Sequence, residues 1–324
     1  MKKIAIFGQG YVGTQLEESA PQHGARASHN DLENVYEIKT YTKKEHKYHK
    51  AEKFIKILNQ FKPDYVINAC GYTGRPNVDA CETDKQNCWN LNVNLPVTMS
   101  TICRTYDIPF IHISSGCVYT GYDKHYTEED PPNFGMGSTV SSWYSKTKHA
   151  AEMQLQDAYV FRIRMPFCNN NHERNFLNKV LKYDRLIEYK NSMTSIPDFM
   201  RFVWRFIHRM ELQNTVDLQQ LPGEMTPGIY NVCNPGAISI SDVVELFKQN
   251  GISNCNWSFV DMESLSLKAN RSNCLLDCSK IDRLGLGLPP AIDSLTTCVQ
   301  ELCKKLLWKT GLQGPKTGLE WQIR

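Results

Sequence analysis

Residues 2–7, Lys-Lys-Ile-Ala-Ile-Phe, run directly into Gly8-Gln9-Gly10-Tyr11-Val12-Gly13. Few local patterns constrain a fold as tightly. A short apolar strand, a G-x-G-x-x-G turn and an amphipathic stretch form the strand–turn–helix unit that opens dinucleotide-binding folds. Glycine lets the backbone approach a pyrophosphate, and the helix start beyond it offers unpaired N–H groups and a favourable dipole. The competing reading, a tight turn that merely needs glycine, does not account for this placement between strand and helix.

The pattern continues downstream. Apolar runs at residues 65–69, 110–113 and 159–163 alternate with helical patterns, which predicts an α/β chain with a Rossmann-type, doubly wound parallel sheet. Residues 22–34 are polar and irregular and read as a surface insertion before a second strand at residues 35–41. The expected division is a dinucleotide-binding domain over residues 1–165, which also receives a strand near residues 228–234, and a smaller C-terminal substrate-binding lobe over residues 166–324. Within that lobe the sequence predicts a basic helical stretch through Lys179, a proline-containing loop at Ile196-Pro197-Asp198, and a helix over residues 240–250 capped by Ser239 or Ser241. Residues 308–324 hold three glycines and a proline and are expected to form an extended tail, with Trp321 packed on a neighbouring subunit.

A formal charge of +3 is too balanced to favour nucleic acid or an anionic membrane. No run approaches the ~20 apolar residues of a membrane helix, and the glycine turn follows too soon for a signal peptide. The expectation is a soluble, cytoplasmic protein. Its 12 cysteines are scattered, without a Cys-x-x-Cys pair. They are expected to be reduced, and no metal site is expected.

Three further stretches carry chemistry. The strand at residues 110–113 runs out into Ser114-Ser115-Gly116-Cys117, the kind of strand end that presents polar groups to a ligand in an open α/β sheet. Tyr144 and Lys148 lie four apart and share a helix face, where a cation is expected to favour the phenolate. Lys43 and Lys44, past the second strand, suit a cofactor 2′-phosphate and favour NADPH over NADH; a solvated helix face is the open alternative. Cys117, on the residues alone, reads as a small buried residue filling a strand end.

The glycine turn, the Ser115 strand end and the Tyr144/Lys148 pair, in this order, resemble the extended short-chain dehydrogenase/reductases that modify nucleotide sugars. Gly74-Arg75-Pro76-Asn77-Val78-Asp79 is similar to a segment of the UDP-rhamnose synthases of plants and giant viruses. Arg164-Met-Pro166, Arg174-Asn-Phe176 with Lys179, and Arg271-Ser-Asn273 agree with it. The resemblance implies a bifunctional 3,5-epimerase/4-keto-reductase that converts UDP-4-keto-6-deoxyglucose to UDP-L-rhamnose. It assigns Ser115, Tyr144 and Lys148 to the reduction, and Cys117 and Lys179 to proton transfer at C3 and C5. NADP(H) is expected against residues 8–13, Lys43, Lys44, Ala69, Gly71, Tyr144, Lys148 and Pro166. The resemblance places the nucleotide sugar against Gly74, Arg75, Pro76, Asn77, Asn175, Arg271 and Asn273, with Arg75 alternatively an ion-pair partner, and it implies a homodimer. Other readings are the same chemistry on a 2-acetamido sugar, a pure 4-keto-reductase, or a non-catalytic nucleotide-binding regulatory subunit. GDP-fucose synthase shares the epimerase logic, but residues 74–79 favour the rhamnose group.

Overall fold

The computed structural model describes residues 1–21, 36–213, 215, 221–252 and 255–309. The expected insertion over residues 22–34 and the tail beyond residue 309, with Trp321, lie outside the described residues.

Strands β1 (Lys2–Phe7), β2 (Tyr36–Tyr41), β3 (Tyr65–Asn68), β4 (Phe110–Ser115), β5 (Tyr159–Ile163) and β6 (Gly228–Asn231) form one sheet in the order β2-β1-β3-β4-β5-β6. All neighbouring pairs are parallel. A sheet buried on both faces needs continuous apolar strands, and Ile4, Ala5, Ile6 and Phe7 are all wholly buried. Their alternation feeds two cores. Ile4 and Ile6 join Ile67, Ile111 and Phe161 beneath helices α1 (Tyr11–Glu18) and α6 (Ile196–Gln213). Ala5 and Phe7 join Val66, Phe110 and Val160 on the other face, beneath α2 (Ala51–Phe61) and α3 (Leu95–Thr105). The strand order reverses at β1 and β3, so their C-terminal ends flank the crevice where this architecture binds ligands.

Helix α4 (Trp143–Glu152) is tied to β4 and β5 by charge. Glu152 and Arg162 form an ion pair at 2.8 Å with both side chains only 1% exposed. Ser114 donates to Glu152 at 2.6 Å, and Arg162 also donates to the Tyr119 hydroxyl at 2.9 Å. Beyond β5, helices α5 (Phe176–Lys182), α7 (Ile240–Gln249) and α8 (Ala291–Lys309) pack around a separate apolar cluster that includes Phe167, Leu177, Val243, Phe247 and Leu295.

The structure corrects several expectations. The proline segment at residue 196 is not a loop: Ile196 starts α6, with Pro197 in the first turn, where a missing N–H has no helical partner to lose. The run over residues 228–234 is broken. β6 stops at Asn231, whose side chain donates to the Tyr126 and Asp277 carbonyls, and Asn234–Ile238 pairs antiparallel with Asn191–Met193. Trp308 belongs to α8 instead of an extended tail. Of the two serines offered as caps for α7, Ser239 is the one, in a reciprocal capping box with Asp242.

Removing one partner of a buried ion pair strands the other charge. Glu152→Ala is expected to lower the unfolding free energy by about 3–5 kcal/mol, read from the urea midpoint.

Candidate active site

The glycine turn is fixed by close contacts. Gly8 has φ +107°, and a Cβ there would meet the Cys70 amide nitrogen at 2.9 Å. A Cβ on Gly13 would lie 1.7 Å from the Gly8 carbonyl oxygen, so glycine is what lets α1 press against the turn. Gly10 differs. It is exposed, N-caps α1 without a side-chain bond, and faces open space with nothing within 4 Å of an added Cβ. Uncapped N–H groups facing open space are the cradle a diphosphate requires, so Gly8, Gln9, Gly10, Tyr11, Val12 and Gly13 fit a dinucleotide there. Val12 is half-buried, and Tyr11 points inward, stacked on His172 at 4.7 Å and bonded to Cys168 at 3.0 Å.

The other expected cofactor residues lie past the C-terminal ends of β2, β3 and β5. Lys43 and Lys44 stand exposed on the short helix Lys43–His46, just past Tyr41, whose carbonyl receives the Gly8 N–H at 3.0 Å. Neither forms an ion pair among the described residues. At the end of β3, Ala69 is half-buried and Gly71 exposed, and a Cβ on Gly71 would lie 3.5 Å from Lys148 Nζ. Pro166 is half-buried past β5.

The catalytic candidates converge. Ser142 caps α4 by accepting the Ser145 N–H, which sets Tyr144 and Lys148 on the face turned toward β4. The Ser115 hydroxyl accepts the Cys117 N–H at 3.2 Å and lies close enough to Tyr144 to favour its ionised form. Lys148 Nζ lies 6.0 Å from the Tyr144 ring centre and 3.5 Å from the Ile113 carbonyl oxygen. Cys117 is half-buried, and its sulfur lies within the electrostatic reach of Tyr144, Lys148 and, from α5, Lys179.

Protonation departs from expectation at Tyr144. Burial, followed by Cys117, pushes the phenol well above its usual range, against the opposing effect of the Ser115 hydroxyl. In this structure desolvation outweighs the neighbouring cation, and Tyr144 holds its proton at neutral pH as a donor. Burial also lowers Lys148, and it lowers Lys179 with help from the positive charges of Arg174 and Arg271.

The expected substrate residues fare unevenly. Asn175 is a correction. It is wholly buried as the N-cap of α5, and its amide is spent on the Cys168 and Leu177 N–H groups and on the Cys168 and Asn170 carbonyls, which leaves nothing for a sugar. Arg75 has its side chain 80% exposed and pairs with Glu173 at 3.3 Å, the ion-pair alternative. Gly74 sits buried at φ +68°, Pro76 is exposed and Asn77 half-buried, its side chain accepting the Asp79 N–H. Arg271 edges the site and pairs with Asp79 at 2.8 Å. Burial opposes the ionised form of Asp79, but the hydrogen bond and charge of Arg271 hold its carboxyl below the usual range. Asn273 accepts from Asn191 at 3.2 Å.

Sequence reasoning missed the roles of Glu152, Asn92 and Arg174. Glu152 follows Lys148 by one helical turn, a spacing that was visible. Asn92, wholly buried, joins the Tyr72 backbone to Thr147 of α4. Arg174 donates to Thr73 and to the Gly74 carbonyl at 2.6 and 2.7 Å, clasping the loop over residues 72–79. These contacts span long stretches of chain and carry no local pattern.

A parallel sheet with a dinucleotide cradle at its switch point and a Ser-Tyr-Lys constellation beside it defines a nucleotide-cofactor-dependent reductase. The chain belongs to the RmlD family of reductases: the family model described as the RmlD substrate binding domain matches residues 1–304. It is 29% identical over 279 residues to a bifunctional dTDP-4-dehydrorhamnose 3,5-epimerase/dTDP-4-dehydrorhamnose reductase of Arabidopsis thaliana, covering 82% of this chain and 86% of that one. It is 30% identical over 261 residues to a trifunctional Arabidopsis UDP-glucose 4,6-dehydratase/3,5-epimerase/reductase, of whose length it spans 36%. The crystal structure of the UDP-rhamnose synthase from Acanthamoeba polyphaga mimivirus matches with TM-score 0.76 and 25% identity, over 92% of this chain and 99% of that one. A dTDP-4-dehydrorhamnose reductase from Bacillus anthracis, solved in complex with NADP, shares the fold with TM-score 0.71 at 17% identity, over 92% of this chain and 98% of that one.

Two outcomes follow from the geometry. Gly13→Ala is expected to destabilise the fold, since backbone must move, while Gly10→Ala stays within about 0.5 kcal/mol of wild type by urea unfolding. Because burial lowers Lys148, its ammonium costs stability while the folded chain must keep the proton. That cost is full at low pH and vanishes as pH nears the unfolded value of ~10.4. Lys148→Met should therefore unfold at higher urea than wild type, with the gap narrowing as pH rises.

Proposed function

We propose that the protein epimerises C3 and C5 of UDP-4-keto-6-deoxyglucose and reduces the C4 ketone with NADPH, giving UDP-L-rhamnose. The observation that carries this reading is the meeting of Cys117 and Lys179 with Ser115, Tyr144 and Lys148 around one crevice. Reduction of a ketone needs a hydride and one proton donor; it leaves the thiol and the second ammonium without work.

Inverting a carbon beside a ketone requires a proton to leave one face and another to return on the opposite face. Cys117, in the turn just past β4, and Lys179, on α5, suit those two tasks. Ser115 and Tyr144 hydrogen-bond the C4 oxygen, hold the charge of the enolate, and deliver the Tyr144 proton to the alkoxide once reduction occurs. Lys148, one helical turn from Tyr144, holds the cofactor ribose. NADPH, when bound, supplies the hydride. The cradle at Gly8 to Gly13 suits its diphosphate, and Lys43 and Lys44 suit its 2′-phosphate by charge and exposure. Arg271, with donors left beyond its bond to Asp79, suits the diphosphate of the sugar nucleotide.

The test supplies UDP-4-keto-6-deoxyglucose and NADPH in deuterated water. Wild type is expected to yield a product deuterated at C3 and C5. Cys117→Ala should lose that incorporation by about 10²–10⁴-fold, and Tyr144→Phe should lose NADPH oxidation. NADPH oxidation by wild type without deuterium at either carbon would identify a reductase alone.

A further inference from the structure

Between β5 and α5 the segment Asn169 to Asn175 touches both banks of the crevice. On the β1 side the His172 ring stacks on Tyr11, the residue after Gly10 of the cradle, with centroids 4.7 Å apart and planes 21° from parallel. On the β3 side, Arg174 donates to the Thr73 hydroxyl at 2.6 Å and the Gly74 carbonyl at 2.7 Å, and Glu173 pairs with Arg75. β1 and β3 are the strands whose ends flank the crevice. The segment is also braced from its own lobe. Asn178 donates to the Asn170 and His172 carbonyls, each at 3.0 Å, the His172 ring accepts the Arg174 N–H at 3.0 Å, and Lys305 donates to the Asn169 carbonyl at 3.1 Å. All of these bonds join groups of this chain, so the segment closes across the crevice by itself.

The structure assigns this segment as a strap over the cofactor, latched by Arg174: NADP(H) enters and leaves when Arg174 lets go of Thr73 and Gly74. A dinucleotide that reaches from the cradle at Gly8 to Gly13 to the Tyr144 and Lys148 pair runs between the two banks, and so beneath the strap. The two banks hold it differently. Tyr11 also bonds Cys168 at 3.0 Å, at the root of the strap, which makes the β1 side the hinge. Arg174 is only half-buried and bonds a hydroxyl and a carbonyl, so water replaces these partners when they part and no buried charge is stranded. The pair of Glu152 and Arg162 has no such freedom. Arg174 is thus a positioning residue of the cofactor site that touches no reacting atom. The inference rests on the place of the cofactor in the crevice and is independent of the epimerase reading.

The experiment mixes the whole chain with NADPH in a stopped-flow instrument, without any sugar nucleotide, and follows the fluorescence of the bound nicotinamide. Association is read from the concentration dependence, and dissociation by displacement with excess NADP⁺. In Arg174→Gln both rates should rise by about tenfold or more while the dissociation constant changes little, because an unlatched strap speeds passage in both directions. Arg174→Lys should fall between wild type and Arg174→Gln. Thr73→Val, which removes one acceptor and leaves the charge of Arg174 in place, should raise both rates by a smaller factor. Arg75→Glu alters a pair whose side chains are 80% and 61% exposed, sets two carboxylates together at the latch, and should raise both rates by about two- to fivefold. If Arg174→Gln does not fold, Thr73→Val and Arg75→Glu decide the matter in the same way. Faster dissociation with unchanged association would make Arg174 a direct cofactor contact and overturn the strap. Wild-type rates in all of the variants, or slower association in them, overturn it as well.

Discussion

The ion pair between Glu152 and Arg162 holds the catalytic half of the molecule in register. A helix packed on a sheet by apolar contact alone can slide or roll at small cost, because such contact is non-directional. Glu152 removes that freedom. It ends α4, and it is gripped from β4 by Ser114 and from β5 by Arg162, which also reaches Tyr119. Fixing the last turn of α4 against two strands fixes Lys148 and Tyr144 one and two turns earlier. The same grip keeps Ser115, the residue after Ser114, opposite Tyr144. At the N-terminal end of the helix the Ser142 cap and the bond from the Trp143 N–H to Glu82 complete the restraint.

Local patterns carried much of this in the sequence. The strand and glycine turn at residues 2–13 were legible because burial on two faces and a close helix approach each demand particular residue types. The pairing of Tyr144 with Lys148 was legible from helical spacing. The polar logic was not. Asn175 looks like a ligand in sequence and serves as a buried cap, because the same amide chemistry suits both tasks and only burial separates them. Pro197 reads as a loop breaker until the first turn of α6 is known to begin there. Arg164 gains its meaning from Ser272, more than a hundred residues away.

Charge is distributed unevenly around the crevice. Lys148, Lys179, Arg164 and Arg271 face it from four segments, while the carboxylates of this region are turned to other work: Glu152 to Arg162 and Asp79 to Arg271. The site therefore favours anions twice over, for a nucleotide diphosphate and for the alkoxide that a ketone becomes on reduction. Tyr144 supplies the contrast. Burial keeps its proton in place among these cations, so it remains a donor where a phenolate would only add another negative charge.

The position of β6 has a consequence for how the chain can be divided. The polypeptide leaves the sheet after β5, contributes Phe167, α5 and Met193 to the separate apolar cluster, and then returns to pair β6 with β5. The catalytic layer thus lacks its last strand until residues beyond 227 have emerged. A fragment ending near residue 165 would present β5 as a bare edge with Val160 and Phe161 at its centre, a template for pairing between molecules. Gene fusions or split versions of this enzyme are better cut beyond β6, where the sheet is already closed off.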